Sequence, residues 1–327
     1  MTSGGPAPYS PTLSPAGERD GIDVDEAALI AVDWGTTSAR AALVDRDATT
    51  LRVREAPLGI QAVRDGRFGD ALAALLGDWQ SLPLPRLAAG MIGSRQGWVE
   101  APYLDCPAAV DDLALRLART PGGELAIVPG VTTRGADGLP DVMRGEETQL
   151  LGAAGADETM LAVLPGTHSK WAHVVARRIA GFTTFMTGEL YAVLLAHSIL
   201  GRLAQPADPA TAQAAFARGV AQGLHDDGSL AHAAFGARSL ALAAELAGPD
   251  VPEWLSGLLV GHEVRHARAW ARARSLPFER VRVIGADALV SRYRTALAHA
   301  GVASEAGPAD AAVRGLVHIA RRAGWKL

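Results

Sequence analysis

VDWGTTSARAALVD, residues 32–45, closes an apolar, β-branched run with an acid and a glycine, then starts a second strand at once. The preceding residues ALIA (28–31) extend the run upstream, and TLRVREAPLG (50–59) reads as a third strand completing a meander. The turn between the first two strands, Gly35-Thr36-Thr37-Ser38, combines closely spaced backbone N–H groups, hydroxyls and a glycine that permits near approach. That composition suits phosphate oxygens. Asp33, at the end of the first strand, can hold Mg²⁺ through water, as a hard cation prefers. An ordinary hairpin capped by its acid is the plain alternative. Neither G-x-x-x-x-G-K-[ST] nor a G-x-G-x-x-G after a strand occurs, so the turn is not a Walker A or Rossmann loop.

The pattern has an echo. GTTSARAALV (Gly35–Val44) aligns without gaps onto GTHSKWAHVV (Gly166–Val175), within a second strand–turn–strand beginning at MLAVLPG (160–166). Leu164 stands where Asp33 stood, while His168 and Lys170 are gained. Gly166, Thr167, His168 and Ser169 therefore form a second candidate phosphate turn. One metal-holding carboxylate with two phosphate clamps is the division of labour that phosphoryl transfer needs. Two glycine hairpins, one in each half, suggest a ligand gripped between two lobes.

Between the hairpins, FGDALAALLGDW has helical spacing, with Phe68, Leu72, Leu75, Leu76 and Trp79 on one side. PRLAAGMIGSRQGW runs from a strand into a glycine-rich loop, and Val142–Ala154 has the composition of a helix started by glycine. Further helical patterns cover Ser239–Leu246, Trp254–Arg274, Tyr293–Ala300 and the closing ADAAVRGLVHIARRA. His262 and His266 lie four apart, but GHEVRH is not H-E-x-x-H and lacks a third ligand, so a solvated helix face is expected there.

The 327 residues suffice for two lobes; 49% are apolar and 20% charged, an ordinary globular balance. A net charge of −4 and the lack of a basic stripe argue against nucleic acid as a partner. With Cys106 alone, no intramolecular disulfide or cysteine-rich metal site can form. No apolar run of about 18 residues suggests a membrane span. The opening residues are rich in Pro, Ser and Gly without a hydrophobic h-region, which predicts a disordered leader and a cytoplasmic protein.

Taken together, the blocks DWGTTSARA, GMIGSRQGWVEAPYLDCPA, DVMRGEETQLLGA, LPGTHSKW, MTGELYAVLLAHSIL and WLSGLLVGHE resemble the 2-dehydro-3-deoxygalactonokinase family. That family lies within the acetate and sugar kinase/Hsp70/actin superfamily. The blocks span about Ala31 to Gly261, with a looser match through VIGADALVSRYRTAL. The resemblance implies an α/β, two-lobed actin-like ATPase (ribonuclease H-like) fold with a nucleotide cleft between lobes. It also implies transfer of the ATP γ-phosphate, with Mg²⁺, to the C6 hydroxyl of 2-dehydro-3-deoxy-D-galactonate, in galactonate breakdown.

The expected division is a leader over residues 1–24, a first lobe over 25–157, a second over 158–306 and a final helix, 307–327, returning to the first. In related sugar kinases the general base follows glycines at the start of the helix before the second hairpin. Glu146 falls there, with Glu147 beside it, although the family pattern carries Asp. For the substrate carboxylate, Arg95 is the first candidate, with Ser94, Gln96 and Trp98 alongside and Arg40 second. Glu189 is a candidate for substrate hydroxyls, and Gly285 with Ala286 for the adenosine. A kinase for another sugar or sugar acid is the nearest alternative, and a nucleotide-dependent switch like actin or Hsp70 the alternative of another class. The partner expected is a small sugar acid; the oligomeric state is open, a homodimer being one option.

Overall fold

A computed structural model describes residues 26–225 and 228–327; the expected leader, residues 1–24, lies outside them. The first segment runs β1 (Ala27–Trp34), β2 (Ala39–Asp45), β3 (Thr50–Ala56), α1 (Phe68–Leu76), β4 (Arg86–Gly90), β5 (Tyr103–Asp105) and β6 (Ala108–Ala109). It continues through α2 (Val110–Ala114), β7 (Ala118–Arg119), β8 (Ala126–Ile127), β9 (Gly130–Arg134), β10 (Pro140–Met143) and α3 (Glu146–Ala153). There follow β11 (Thr159–Leu164), β12 (Ser169–Val175), β13 (Arg178–Phe185), α4 (Thr187–His197), α5 (Ala212–His225), α6 (Leu230–Leu242) and α7 (Val251–Ala273). The chain closes with β14 (Arg280–Val283), α8 (Asp287–His299), β15 (Ala303–Ala306) and α9 (Ala311–Arg322).

The chain divides into two compact units. One comprises the residues up to Thr133 with Val142–Ala153 and Asp310–Leu327; the other comprises Arg134–Asp141 and Ala154–Ala309. Three boundaries depart from the sequence expectation: Arg134–Asp141 goes with the second unit, the first unit's central segment ends at Ala153 rather than Asp157, and the chain returns to the first unit at Asp310 rather than at residue 307.

The first unit is built on a sheet of order β3-β2-β1-β4-β8-β7. β1 pairs antiparallel with β2 and parallel with β4, which places it mid-sheet and explains its unbroken apolar run. Leu29, Ile30 and Val32 are wholly buried, and Trp34 packs edge-on to Phe68 of α1. The second unit repeats the scheme: β11 pairs antiparallel with β12 and parallel with β14, giving β15-β14-β11-β12-β13.

Each unit also holds a helix pair that only glycine permits. In the first unit, a Cβ on Gly152 of α3 would overlap the Ala311 carbonyl oxygen, and one on Gly315 of α9 would overlap that of Thr148. Gly219 and Gly223 of α5 meet the backbone of α7 in the same way, as Gly257 and Gly261 of α7 meet that of α5. We expect Gly315→Ala to destabilise the protein although alanine is the better helix former by about 1 kcal/mol. Overpacking against an immovable carbonyl costs about 1–3 kcal/mol and wins. Urea unfolding reads the difference, and an unchanged midpoint would show that α9 and α3 can separate freely.

Several helices differ from the sequence pattern. α3 begins at Glu146, not Val142, because Gly145 at φ +105° ends β10 and re-aims the chain. α6 spans Leu230–Leu242 instead of Ser239–Leu246, with Ala244 at a positive φ of 58° just beyond it, and α8 starts at Asp287, ahead of the expected Tyr293. Among the described residues, no helix is long and apolar enough to cross a membrane.

Candidate active site

In the first unit the β1–β2 turn is held from behind. The carbonyls of Gly35, Thr36 and Thr37 accept hydrogen bonds from the N–H groups of Ile60, Gln61 and Gly59, each at 3.1 Å. In a trans peptide the next N–H points opposite to the carbonyl. The N–H groups of Thr36, Thr37 and Ser38 are therefore turned away from that backing segment, and Thr36 and Thr37 are exposed. Such a row of outward amides is an arrangement able to take an anion. Gly59 is indispensable to it, because a Cβ there would overlap the Thr36 carbonyl. Nothing in the local sequence marks Gly59, 24 residues from the turn's first glycine.

Asp33 lies half-buried at the end of β1, paired in register with the exposed Arg40 of β2. Gly90, at φ +99°, ends β4 alongside; a Cβ there would reach within 3.4 Å of Asp33 Oδ1, and Gly145 abuts Gly90. Burial, then the neighbouring Glu146 carboxylate, raises the Asp33 carboxyl to about 6, against a smaller opposing pull from Arg40. Glu146 is half-buried at the start of α3, its Oε2 accepting the Arg144 N–H at 3.1 Å. Glu147 is wholly buried, accepts the Gly145 N–H at 2.6 Å, and is raised to about 8 by burial and by Glu146. It therefore carries its proton at neutral pH.

Arg144 is the residue the sequence reasoning passed over. It is 7% exposed, its guanidinium lies 4.3 Å from the Tyr103 ring centroid, and Nη2 donates to the Ala101 carbonyl at 2.8 Å. A Cβ on Gly93 would come within 3.0 Å of its Nη1, so the glycine-rich loop closes over this cation. Its place directly before Gly145 and the two glutamates was the only available signal.

The loop's other residues separate. Trp98 stacks on Phe68 at 6.2 Å between centroids and anchors the loop to the core, while Ser94 is partly buried. Arg95 and Gln96 are exposed, and Arg95 makes only a loose 3.5 Å ion pair with Glu100.

In the second unit the gap-free echo fails by one residue. Asp33 faces Arg40 across β1 and β2, but Leu164 faces Lys170, not Trp171, across β11 and β12. The second hairpin is one residue shorter, and strand alternation moves its side chains accordingly. Lys170 thus takes the register position of Arg40. Ser169, expected at the phosphates, is wholly buried with its hydroxyl 2.8 Å from the Tyr293 hydroxyl. Gly166 is partly buried, and Thr167 and His168 are exposed at the turn.

Behind this turn stands Gly188, where a Cβ would overlap the Gly166 carbonyl; the Thr167 carbonyl accepts the Glu189 N–H at 3.0 Å. His168 Nε2 and Glu189 Oε2, both near half exposure, are hydrogen-bonded to one another. Lys170 is buried, and its Nζ donates to the His168 carbonyl at 2.9 Å. Gly285, at φ +154°, lies beside Pro165, which brings the exposed Gly285–Ala286 turn at the start of α8 next to the hairpin.

Two α/β units of matching sheet order, each with a glycine hairpin between its first two strands, make up the fold of a sugar-acid kinase. Residues 33–319 match the family model described as 2-keto-3-deoxy-galactonokinase, and the chain belongs to that family. The Escherichia coli K12 2-dehydro-3-deoxygalactonokinase is 34% identical over 89% of this chain and 98% of its own. A Rhizobium meliloti protein designated a probable 2-dehydro-3-deoxygalactonokinase is 39% identical, covering 91% and 97%. A Sinorhizobium meliloti protein of the same kind, solved by crystallography, aligns at 36% identity and a TM-score of 0.80, covering 91% of this chain and all of that one.

Proposed function

We propose that this protein transfers the γ-phosphoryl group of ATP to the C6 hydroxyl of 2-dehydro-3-deoxy-D-galactonate, giving the 6-phosphate and ADP. The observation that carries the chemistry is the pairing of Asp33 with Glu146 beside a turn of outward amides. Family membership, with relatives named for this substrate, supports the acceptor.

The alcohol's proton leaves to Glu146, which is partly open to solvent. Glu147 is shut in and already protonated, so it does not serve as the base. The deprotonated oxygen attacks the γ-phosphorus in line, and ADP departs. In the first unit the amides of Thr36, Thr37 and Ser38 are donors for phosphate oxygens; in the second unit the Gly166–His168 turn and the Lys170 ammonium are donors of the same kind. The exposed Arg95 and Arg40 are the cations available to the acceptor's carboxylate, with Ser94 and Gln96 beside Arg95 and Glu189 for hydroxyls. Gly285 and Ala286 offer a side-chain-free surface to the adenosine. An ATP-consuming sugar-acid kinase of this kind acts in the cytoplasm.

Mg²⁺ fits the donors present. Among the described residues, no group of three or more His, Cys, Asp or Glu side chains could cage a metal ion. Magnesium needs no such cage, since it binds through one or two carboxylates, waters and substrate phosphates. Asp33, raised in pKa partly by Glu146, is a carboxylate whose charge a cation would relieve. When bound, the ion neutralises charge on the transferring phosphate.

Purified protein with MgATP should release ADP with 2-dehydro-3-deoxy-D-galactonate, and far less with its C4 epimer or with galactose. Turnover with a different sugar acid alone would replace the substrate and keep the kinase. Slow ATP hydrolysis indifferent to every sugar acid would favour a switch protein instead.

A further inference from the structure

The sequence reads Glu263 as part of a solvated helix face; the fold buries it to 1% exposure. Its two oxygens accept from Trp171 Nε1–H and from the Tyr293 hydroxyl, each at 2.7 Å. The hydroxyls of Ser169 and Thr187 also hydrogen-bond to it. These four partners are neutral donors, with the single Ser169 hydroxyl proton shared between Glu263 and the Tyr293 hydroxyl, which itself donates to the carboxylate. Burial drives the Glu263 carboxyl upward against those four hydrogen bonds, and burial with the adjoining carboxylate drives the Tyr293 hydroxyl well above its usual value. A buried acid without a cation among these partners is costly, and such a cost in a native fold asks for a reason.

The reason lies in where the partners sit. Ser169 and Trp171 belong to the start of β12, directly after the second glycine turn. Thr187 opens α4, one residue before Gly188, whose Cα rests against Gly166 and Thr167. Tyr293 comes from α8, whose first turn follows Gly285 beside Pro165. One carboxylate on α7 thus fastens the strand leaving the turn, the helix backing it and the helix beside it.

We propose that Glu263 is the positioning residue of the second phosphate hairpin, holding the Pro165–His168 turn ready for the anion before nucleotide arrives. The inference rests on the reading of that turn as a phosphate contact. Glu263 touches neither substrate nor phosphate, and it acts through Ser169, Trp171 and Thr187. It also assigns Ser169 a task other than binding phosphate: its hydroxyl belongs to the support and not to the ligand.

The test uses Glu263→Gln and, as a gentler variant that keeps the carboxylate, Tyr293→Phe. In Glu263→Gln one acceptor oxygen becomes an NH₂ donor facing donors, which reverses part of the network at nearly constant volume. Losing a buried hydrogen bond of this kind corresponds to about a tenfold change in an affinity. We expect the KM for MgATP to rise about tenfold in Glu263→Gln and severalfold in Tyr293→Phe, with KM for the sugar acid and the unfolding temperature close to wild type. Direct nucleotide binding by calorimetry should weaken in parallel. Equal losses for both substrates, tracking a lowered unfolding temperature in both variants, would make Glu263 an ordinary core group and overturn the proposal. An unchanged KM for MgATP in the folded variants would overturn it as well. Wild-type protein that binds no MgATP would instead remove the phosphate reading on which this inference rests.

Discussion

Replacing Glu146 by glutamine is expected to lower kcat by roughly 10²–10⁴-fold, with little change in the KM for MgATP. The amide cannot accept the acceptor's proton, but it nearly preserves volume and can still accept the Arg144 N–H that Glu146 Oε2 accepts at 3.1 Å. The contrast with Glu147→Gln makes the result specific. Glu147 is wholly buried and raised to about 8, so at neutral pH it is already an uncharged acid that glutamine imitates. Glu147→Gln should therefore retain most of its turnover.

It should also change stability with a defined sign. A carboxyl raised from 4.5 to about 8 contributes stability that is complete below about 4.5 and lost as pH rises through 8. Wild-type protein should thus lose thermal stability as pH rises from about 4.5 to about 8, and Glu147→Gln should lose less. If instead Glu147→Gln is the inactive variant and Glu146→Gln the active one, the base has been assigned to the wrong neighbour.

The second large effect is at Asp33. Asp33→Asn should reduce Mg²⁺-dependent turnover by about 10²–10³-fold, the size associated with one missing electrostatic contact to a transition state. The same substitution should stabilise the metal-free protein. With its carboxyl raised from 3.8 to about 6, Asp33 contributes stability that is full below about 3.8 and lost as pH rises through 6. Asparagine lacks that dependence, so the variant gains on wild type above pH 6 and the gain disappears near pH 4. Mg²⁺ needs the ionised form, so wild-type affinity for the ion should fall as pH drops below 6, about tenfold per unit at the limit. Unfolding temperatures at pH 4, 6 and 8, with and without Mg²⁺, read both signs. A variant that still gains stability from Mg²⁺ as wild type does would place the ion elsewhere.

Both predictions concern residues that the sequence exposes readily, and the reason is locality. Asp33 and the Gly35–Ser38 turn are contiguous, and an acid and a glycine at the end of an apolar run can be recognised without knowing what packs nearby. Glu146 and Glu147 are likewise adjacent in sequence, but their difference is not local. It arises because Gly145 ends β10 and starts α3 so that one carboxyl enters the interior while its neighbour stays half-covered beside Asp33. The glycine-rich loop shows the same limit: its glycines are evident, whereas Trp98 on Phe68 and Arg144 beneath Gly93 depend on distant partners.

Glu263 shows why periodicity misleads inside a central helix. α7 is buried on most sides, so its remaining exposed stripe, marked by His262 and His266, is no guide to the residue about 100° further round. The hairpin echo misleads in a different way. Matching letters counted from Gly166 cannot reveal that the second turn is one residue shorter, because only strand pairing shows which side chains stand opposite.

The sequence by itself determined the two glycine hairpins, the acid at Asp33, the carboxylate pair and the succession of blocks that define the family. These are short-range patterns, written by strand alternation, turn chemistry and residue order. Only the tertiary structure decided which glutamate is shut in, that Ser169 faces the core while Lys170 takes the register position of Arg40, and that Gly59 and Gly188 back the two turns. Those outcomes depend on burial and on close backbone approach between segments far apart in the chain, neither of which leaves a periodic trace in the residues that make them.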